Sequence, residues 1–406
     1  MFRKTRQNSG LRTALGAAAL GLALLLGACQ STDLGIDTSA NQPPPPTVPT
    51  ANANGEIIGQ GNVRLALLLP RSAPGNAATV ANELRNGAVM AMSDFGGDTV
   101  QLVIKDTAGQ AASAQAAASE AVKEGSHAIL GPVFAANVSA ASAITQPSGK
   151  VMFAYSTDAS VARRGVYLLS YTPQADTRRI INFALSQGKR SFLAFLPENS
   201  EGTLREAVLR QEVGSAGANL RVIKYSRSTE AIEQAVISSK DMLPTVDSIY
   251  IPEGGQIPNA ILQTMRRNDF NAVGKQLIGS GSWESVDLSD PQLEGAIYPG
   301  RDVSRFEEFA ARYETLNGAK PSVWAALGYD SVTLMIDLAR RMGPQQAFTP
   351  QVIENPRGFT GINGIFRILS DGTSERGLAI YQVRDGKGVQ AIPAPTSFAR
   401  RGGSQG

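Results

Sequence analysis

The sequence of 406 residues contains only one histidine, His127, and one cysteine, Cys29. His127 directly precedes an apolar run, where a histidine is usually a capping or surface group. Cysteine–histidine catalysis, serine–histidine–aspartate triads and the common zinc sites are therefore excluded. A phosphate-binding loop is also missing, and the Ser-x-x-Lys match at residues 186–189 lacks the companion motifs of acyl-serine enzymes. The sequence predicts a protein that is not an enzyme and carries no cofactor or metal ion.

An excess of basic charge is also missing once the amino terminus is set aside. The chain has 38 lysines and arginines against 35 acidic residues, a net charge of +3. Four of the positive charges and no negative ones lie within residues 1–28, so the remainder carries −1 (3 − 4). Nucleic-acid binding depends on a basic surface, and we expect none here.

The amino terminus has the pattern of an export signal. A basic segment precedes the Ala/Leu/Gly-rich residues 14–26, which are too short to span a bilayer. This pattern predicts a signal peptide over residues 1–28. It ends in Leu26-Gly27-Ala28-Cys29, which resembles the lipobox of bacterial lipoproteins and implies cleavage before Cys29 and lipidation of that residue. The alternative is an ordinary signal peptide followed by an unrelated cysteine.

Composition predicts disordered segments at both ends of the mature chain. Residues 29–61 contain four consecutive prolines, Pro43 to Pro46, and few large apolar residues. Such a segment cannot form a core and suits an extended tether. Residues 396–406 are predicted to be a disordered tail.

Between these segments, short apolar runs alternate with stretches of helical periodicity. Residues 127–160 show the unit clearly, with an apolar run at 128–130, a Gly-Pro turn, a helix over 137–146 and a second run at 151–154. Continuous apolar runs are typical of buried parallel strands. The units exceed one ordinary sheet, and a break at 171–176 divides them, so we predict two doubly wound α/β lobes with a cleft. Residues 364–368 and 378–383 predict an antiparallel hairpin.

Several of these stretches resemble the type I periplasmic binding fold, in the branch of the leucine/isoleucine/valine-binding receptors. They are residues 63–70, Ile104-Lys105-Asp106, Ala128-Ile129-Leu130-Gly131-Pro132, Ala326-Leu327-Gly328-Tyr329-Asp330 and Phe359-Thr360-Gly361-Ile362-Asn363-Gly364. The resemblance covers residues 62–393. It implies an amino-terminal lobe of residues 62–170 and 300–345 and a carboxy-terminal lobe of residues 171–299 and 346–395.

A closer resemblance is to the penicillin-binding protein activator lipoproteins, through residues 154–162 and 165–169. The chain also departs from the amino-acid receptors. Those receptors carry hydroxyl residues after the Gly-Pro turn, where they hold a ligand carboxylate, whereas this chain has Ala135 and Ala136. It also lacks the disulfide common in their amino-terminal lobe.

Ligands of parallel α/β sheets bind outside the carboxyl ends of the strands. The cleft candidates at these positions are Arg71, Ser72, Asp106, Phe134, Asn137, Tyr155, Ser156, Thr157, Asp158, Glu198, Asn199, Glu253, Ser280, Trp283 and Arg301. Together they suit a small polar ligand, with carboxylates for an amine, hydroxyl and amide donors for an acid, and an aromatic wall. Alternatively, Asp106 caps the next helix and Trp283 packs under a loop.

Two functional hypotheses follow. The first is a non-enzymatic, lipid-anchored adaptor that regulates a peptidoglycan synthase, similar to the penicillin-binding protein activators. The second is a solute receptor that delivers an amino acid or another small polar ligand to an ABC permease. Gln30 after the cysteine favours the outer membrane and hence the adaptor, while the intact two-lobe pattern favours the receptor. Both hypotheses place the protein on the periplasmic side of a bacterial envelope.

Overall fold

A computed structural model describes residues 53–270, 272–303 and 305–398. The predicted signal peptide, Cys29 and most of the predicted tether and tail lie outside these residues. Within the described part of the chain, no helix combines the length and apolar character needed to cross a membrane.

The first lobe is built on a six-stranded sheet with the order β1-β3-β2-β4-β5-β6. The strands are β1 (Glu56–Ile58), β2 (Val63–Leu69), β3 (Val100–Asp106), β4 (Ala128–Leu130), β5 (Val151–Ala154) and β6 (Val166–Leu168), and the connecting helices are α1 (Asn76–Ala91), α2 (Ala111–Lys123) and α3 (Ala135–Thr145). All neighbours run parallel except β1 and β3. Along β2, Leu65 and Leu67 join the core on one face of the sheet, and Ala66 and Leu68 join the core on the other. Burial on both faces explains why this strand is a continuous apolar run.

The second lobe has a seven-stranded sheet with the order β16-β15-β11-β10-β9-β7-β8. Its strands are β7 (Ser191–Pro197), β8 (Asn219–Tyr225), β9 (Ser248–Tyr250), β10 (Gln276–Ile278), β11 (Ile297–Gly300), β15 (Ala379–Arg384) and β16 (Lys387–Ile392), and its helices are α4 (Pro173–Ser186), α5 (Ser200–Ser215), α6 (Thr229–Ser238) and α7 (Ile257–Arg267). The strands from β8 to β11 are parallel, and β15 and β16 extend the sheet in antiparallel fashion. The predicted fold class, two doubly wound α/β lobes, is confirmed.

The chain then returns to the first lobe. This segment contains α8 (Phe306–Asn317), α9 (Val323–Gln346), α10 (Pro350–Ile353) and a small antiparallel sheet of β12 (Phe359–Gly361), β13 (Gly364–Ile368) and β14 (Ser374–Arg376). Helix α9 packs closely on α1. A Cβ atom on Gly87 would lie 1.9 Å from the carbonyl oxygen of Ala325, and one on Gly328 would lie 2.2 Å from that of Leu84. Glycine at these two positions therefore allows the backbones to touch.

Three sequence-based expectations need correction. The predicted tether extends too far, because β1 pairs with β3 and adds an edge strand to the first sheet. The predicted hairpin has the wrong second strand, since β13 pairs with β14, whereas residues 379–384 form β15 in the second lobe. The assignment of residues 346–395 to the second lobe is wrong for its first part. Phe348, Ile353 and Phe366 are buried in the core of the first lobe, and only β15 and β16 belong to the second sheet.

Candidate functional site

The cleft between the lobes holds a cavity of about 350 Å³. Its lining consists of Thr157, Tyr171, Pro173, Asp176, Glu201, Arg205, Gly281, Ser282, Glu284, Pro299, Gly300, Arg301, Val323 and Leu378. Thr157 and Val323 come from the first lobe, and Tyr171 from the crossing between the lobes. The other residues belong to the second lobe, and those of β11 lie at its carboxyl end, where parallel α/β sheets bind ligands.

Arg205 organises the charged wall of this cavity. Its side chain is 3% exposed, and its Nη1 donates to Asp176 Oδ1 over 2.6 Å while its Nε donates to Glu201 Oε1 over 3.0 Å. The same Nη1 lies 3.1 Å from the hydroxyl of Tyr250 on β9. Burial alone would lower the pKa of Arg205, but the adjacent carboxylate of Asp176 raises it. The guanidinium therefore stays charged and fixes Asp176 and Glu201 in place.

A second guanidinium, that of Arg301, is only partly paired. Its Nη2 donates to Glu284 Oε2 over 3.0 Å, and the group lies 5.2 Å from the ring centre of Phe306. Its Nη1 is buried and has no hydrogen-bond partner among the described residues, and the same holds for the hydroxyl of Tyr171. A buried donor without an acceptor is costly. These two donors on the cavity wall could serve a bound acceptor such as a carboxylate.

Of the residues expected in the cleft, Thr157 and Arg301 line this cavity, and Ser280 and Trp283 lie behind it. Ser280 is fully buried, and its hydroxyl accepts from the backbone N–H of Ser282 over 3.1 Å. The indole of Trp283 is also fully buried and donates to the carbonyl of Ile251 over 2.8 Å. Both residues therefore stabilise the loop after β10 and do not contact the cavity.

The residues that follow β2 and β3 serve their own loops. Asp106 accepts from the backbone N–H groups of Arg71, Ser72 and Ala108 over 2.9, 3.3 and 2.8 Å. Partial burial would raise the pKa of Asp106, but the hydrogen bonds from Ser72, Ala108 and Arg71 lower it. The side chain of Arg71 turns away to pair with Glu56 of β1 over 2.9 Å. These residues therefore hold two loops together.

The other first-lobe candidates are spread over different environments. Phe134 precedes α3 and is 40% exposed, whereas Asn137 is buried within that helix. Tyr155 is fully buried, and its hydroxyl lies 2.7 Å from that of Ser331 on α9. The tyrosine therefore belongs to the core of the lobe and does not form a ligand wall.

The residues after β5 form a local turn. The buried hydroxyl of Ser156 accepts from the backbone N–H of Asp158 over 3.1 Å. Asp158 in turn accepts from the backbone N–H of Ser160 over 2.9 Å. This turn leaves Thr157 as the side chain that reaches the cavity.

In the second lobe, the residues after β7 and β9 lie outside this cavity. Glu198 is exposed, and Asn199 caps α5 by accepting from the backbone N–H of Gly202 over 2.9 Å. Glu253 is buried and accepts hydrogen bonds from Tyr225 and Arg227. It lines a neighbouring cavity of about 290 Å³, which shares Glu201 and Ser282 with the cleft cavity.

Sequence reasoning missed the polar side chains of Tyr171, Asp176, Glu201 and Arg205 in the cavity, together with Pro173, Pro299, Gly300, Val323 and Leu378. Asp176 lies in the first turn of α4. In the sequence, residues 171–176 were interpreted only as the break between the lobes, so Asp176 was not considered as a cleft residue. Glu201 and Arg205 are four residues apart on α5, a spacing at which opposite charges pair on a helix. That pair was a usable signal, but a surface ion pair has the same spacing.

Among the described residues, no group of three or more His, Cys, Asp or Glu side chains could hold a metal ion. The site therefore offers paired charges, two unpaired donors and the apolar side chains of Val323 and Leu378. This arrangement can hold a small polar molecule.

The fold and the sequence define the family. Residues 62–388 match the periplasmic binding protein family, and the chain belongs to it. The proteins of this family are ligand-binding receptors, which are not enzymes. Among curated proteins, none matches the chain.

Solved structures share the fold at low sequence identity. A putative branched-chain amino acid ABC transporter protein from Rhodospirillum rubrum is 19% identical, with a TM-score of 0.71, covering 81% of this chain and 99% of the other. A solute-binding protein from Rhodopseudomonas palustris in complex with 3,4-dihydroxybenzoic acid is 17% identical, with a TM-score of 0.58 and coverage of 83% and 97%. An ABC transporter substrate-binding protein from Desulfitobacterium hafniense in complex with Leu is 17% identical, with a TM-score of 0.60 and coverage of 81% and 99%. The predicted resemblance to type I periplasmic binding proteins is confirmed.

Proposed function

We propose that this protein is a non-enzymatic solute receptor, which binds an amino acid or another small polar ligand between its lobes and delivers it to an ABC permease. The observation that carries the proposal is the cleft cavity, where paired charges and two unpaired buried donors surround a space of about 350 Å³. Pockets for small ligands combine apolar walls with a few placed polar groups in this way.

The structural neighbours support the same class of ligand. Leucine and 3,4-dihydroxybenzoic acid, bound by two of them, both carry a carboxylate. In this chain, Arg301 Nη1 and the Tyr171 hydroxyl are the donors available for such a group. They would take over the role of the hydroxyl residues that Ala135 and Ala136 replace.

A melting-temperature screen tests the receptor. We expect one solute in a panel of amino acids, aromatic acids and other small organic acids to raise the melting temperature. At a hundredfold excess over its dissociation constant, mass action contributes about 2.7 kcal/mol. Tyr171→Phe and Arg301→Gln should each weaken binding of that solute at least about tenfold, because each removes a donor to a charged group.

Arg266→Gln is the matched control for Arg301→Gln. Arg266 also pairs with a carboxylate through two nitrogens, with distances of 2.9 and 3.0 Å to Asp290, but it lies outside the cleft. An unchanged melting temperature with every solute in the panel would refute the receptor hypothesis. Equal losses of affinity in the control and the cleft variants would refute the assigned site.

The regulator of cell-wall synthesis is the second candidate. The resemblance of residues 154–162 and 165–169 to the penicillin-binding protein activators supports it, as does Gln30 after the cysteine. Binding of the isolated periplasmic domain of a peptidoglycan synthase, together with no response to solutes, would establish this function in place of transport.

We also propose that the protein is a lipoprotein on the periplasmic side of the envelope, and Gln30 favours the outer over the inner membrane. Cys29→Ser should release the protein in soluble form, because the substitution removes the thiol that would carry an acyl chain, and no helix of the described residues is long and apolar enough to cross a membrane. The measurement is the partition between membrane and soluble fractions. Membrane retention of the serine variant would refute lipidation at this residue.

A further inference from the structure

A second cavity lies in the first lobe, at the amino ends of β4 and β5, which is the edge of the sheet opposite the cleft. Its volume is about 470 Å³, and it is lined by His127, Gln146, Gly149, Lys150, Val151, Arg164, Gly165, Pro344, Gln345, Phe348, Thr349 and Pro350. The lining includes two basic residues, Lys150 and Arg164, and the only histidine of the chain, but no acidic residue.

Lys150 is the unusual member of this lining. Its side chain is partly buried, and its Nζ forms no hydrogen bond or ion pair with any described residue. Burial lowers the pKa of Lys150. Arg164, by contrast, forms an ion pair with Glu354, in which Nη2 lies 2.7 Å from Oε2. This pair lies at the rim of the cavity. The uncompensated charge of the cavity is therefore on Lys150.

His127 is held in a defined orientation beside this charge. Its backbone N–H donates to the carbonyl of Arg64 over 2.7 Å, and its ring Nδ1 accepts from the backbone N–H of Arg64 over 3.1 Å. Because Nδ1 is an acceptor, the proton of the neutral ring is on Nε2, which can donate. Burial, followed by the charges of Lys150 and Arg64, lowers the pKa of His127. The ring is therefore neutral at pH 7.

We propose that this cavity binds an oxyanion, a phosphate or carboxylate group, which accepts hydrogen bonds from Lys150 Nζ and His127 Nε2. An anion compensates the partly buried ammonium, and the apolar side chains of Val151 and Phe348 leave room for an organic substituent. This site is separate from the cleft and does not depend on the proposed transport function.

The only histidine makes the test direct, because one imidazole gives one set of NMR signals. Inorganic phosphate, acetate and vesicles containing phosphatidylglycerol are titrated into the full chain at constant ionic strength, with chloride as the reference. We expect phosphate or acetate to shift the His127 signals saturably and to raise the pKa of the ring, because a nearby anion favours the imidazolium. Saturation by vesicles and not by the free ions would identify a lipid headgroup as the source of the anion.

Lys150→Gln should abolish the saturable shift, and it should raise the pKa of His127 in chloride because a repulsive charge is removed. Lys189→Gln, a lysine that lines a different cavity, should leave the titration unchanged. The proposal is overturned if neither the free ions nor the vesicles produce a saturable shift, or if Lys150→Gln responds like the unmodified chain. The rise in pKa in the unmodified chain is a readout that does not depend on any variant folding.

Discussion

The two walls of the cleft differ in how they use their charges. The second lobe presents Asp176, Glu201, Arg205, Glu284 and Arg301 to the cavity, while the first lobe presents Thr157 and Val323. The strand ends of the first lobe are also rich in polar residues, but these bond to their own loops or lie in the core. A position after a parallel strand therefore makes a residue a candidate, and the groups around it decide whether it faces a ligand.

Two buried charged side chains, Arg205 in the second lobe and Asp330 in the first, differ in how well they are compensated. In the second lobe, buried Arg205 is matched by Asp176 and Glu201. In the first lobe, buried Asp330 on α9 accepts from the backbone N–H of Ile362 over 2.7 Å, while its Oδ2 has no hydrogen-bond partner in the part of the chain that the structure describes. Burial raises the pKa of Asp330 to about 6, despite the hydrogen bond from Ile362, which lowers it. The surroundings of Arg205 stabilise its charged form, whereas the surroundings of Asp330 favour its neutral form.

The largest effect is expected for Arg205→Ala. Removal of the guanidinium leaves the carboxylates of Asp176 and Glu201 without this counter-charge. Loss of one partner from a buried pair costs about 3 to 5 kcal/mol in the free energy of unfolding.

Denaturant unfolding measures the loss, with Arg210→Ala as the control. Arg210 also pairs with a glutamate four residues away but is 62% exposed, and such pairs contribute at most about 1 kcal/mol. Similar losses in the two variants would contradict the assignment.

A smaller, pH-dependent effect is expected from Asp330. The folded state holds the proton of this group more tightly than the unfolded state, so its contribution to stability is greatest below about pH 4 and is lost as the pH rises through about 6. The difference between 3.8 and about 6 corresponds to about 3 kcal/mol ((6 − 3.8) × 1.36).

Asp330→Asn removes this titration. The stability of the variant relative to the unmodified chain should therefore increase from pH 4 to pH 7, as measured by denaturant unfolding at several pH values. A constant difference over this range would show that Asp330 does not titrate there.

The smallest effect is expected for Asp106→Ala in the first lobe. The substitution removes an acceptor from three backbone N–H groups on exposed loops, and we expect a loss of about 1 kcal/mol because water can replace the carboxylate. The affinity for the solute bound in the cleft should not change. A large loss of affinity with unchanged stability would place Asp106 in the ligand site. Both walls of the cleft would then present a charged side chain to the ligand.

Much of the fold was predictable because burial on both faces of a parallel strand leaves a direct mark on the sequence. The continuous apolar runs at residues 128–130 and 151–154 correctly predicted β4 and β5, and the helical stretch between them predicted α3. The edge strands were harder. Three-residue β1 lies in a segment of low apolar content, and β14 in a polar turn region, so neither differs locally from a loop.

The candidate site was predicted less well because its members are close only in space. Thr157 and Arg301 were identified from their positions after strands, and both line the cavity. Asp176 and Arg205 are 29 residues apart in sequence but joined by a 2.6 Å hydrogen bond. No local pattern indicates which of the many charged residues on exposed helices form such a pair.

By itself, the sequence determined the α/β class, the two-lobe organisation and the exclusion of the common histidine- and cysteine-based enzymes. These features depend on apolar periodicity and on residue types, which are local properties of the chain. The tertiary structure decided which polar residues face the cleft and which form hydrogen bonds within loops or lie in the cores. It also decided that Lys150 and His127 line the same cavity. These features depend on the packing of distant segments, because the role of a polar group is set by the partners that surround it.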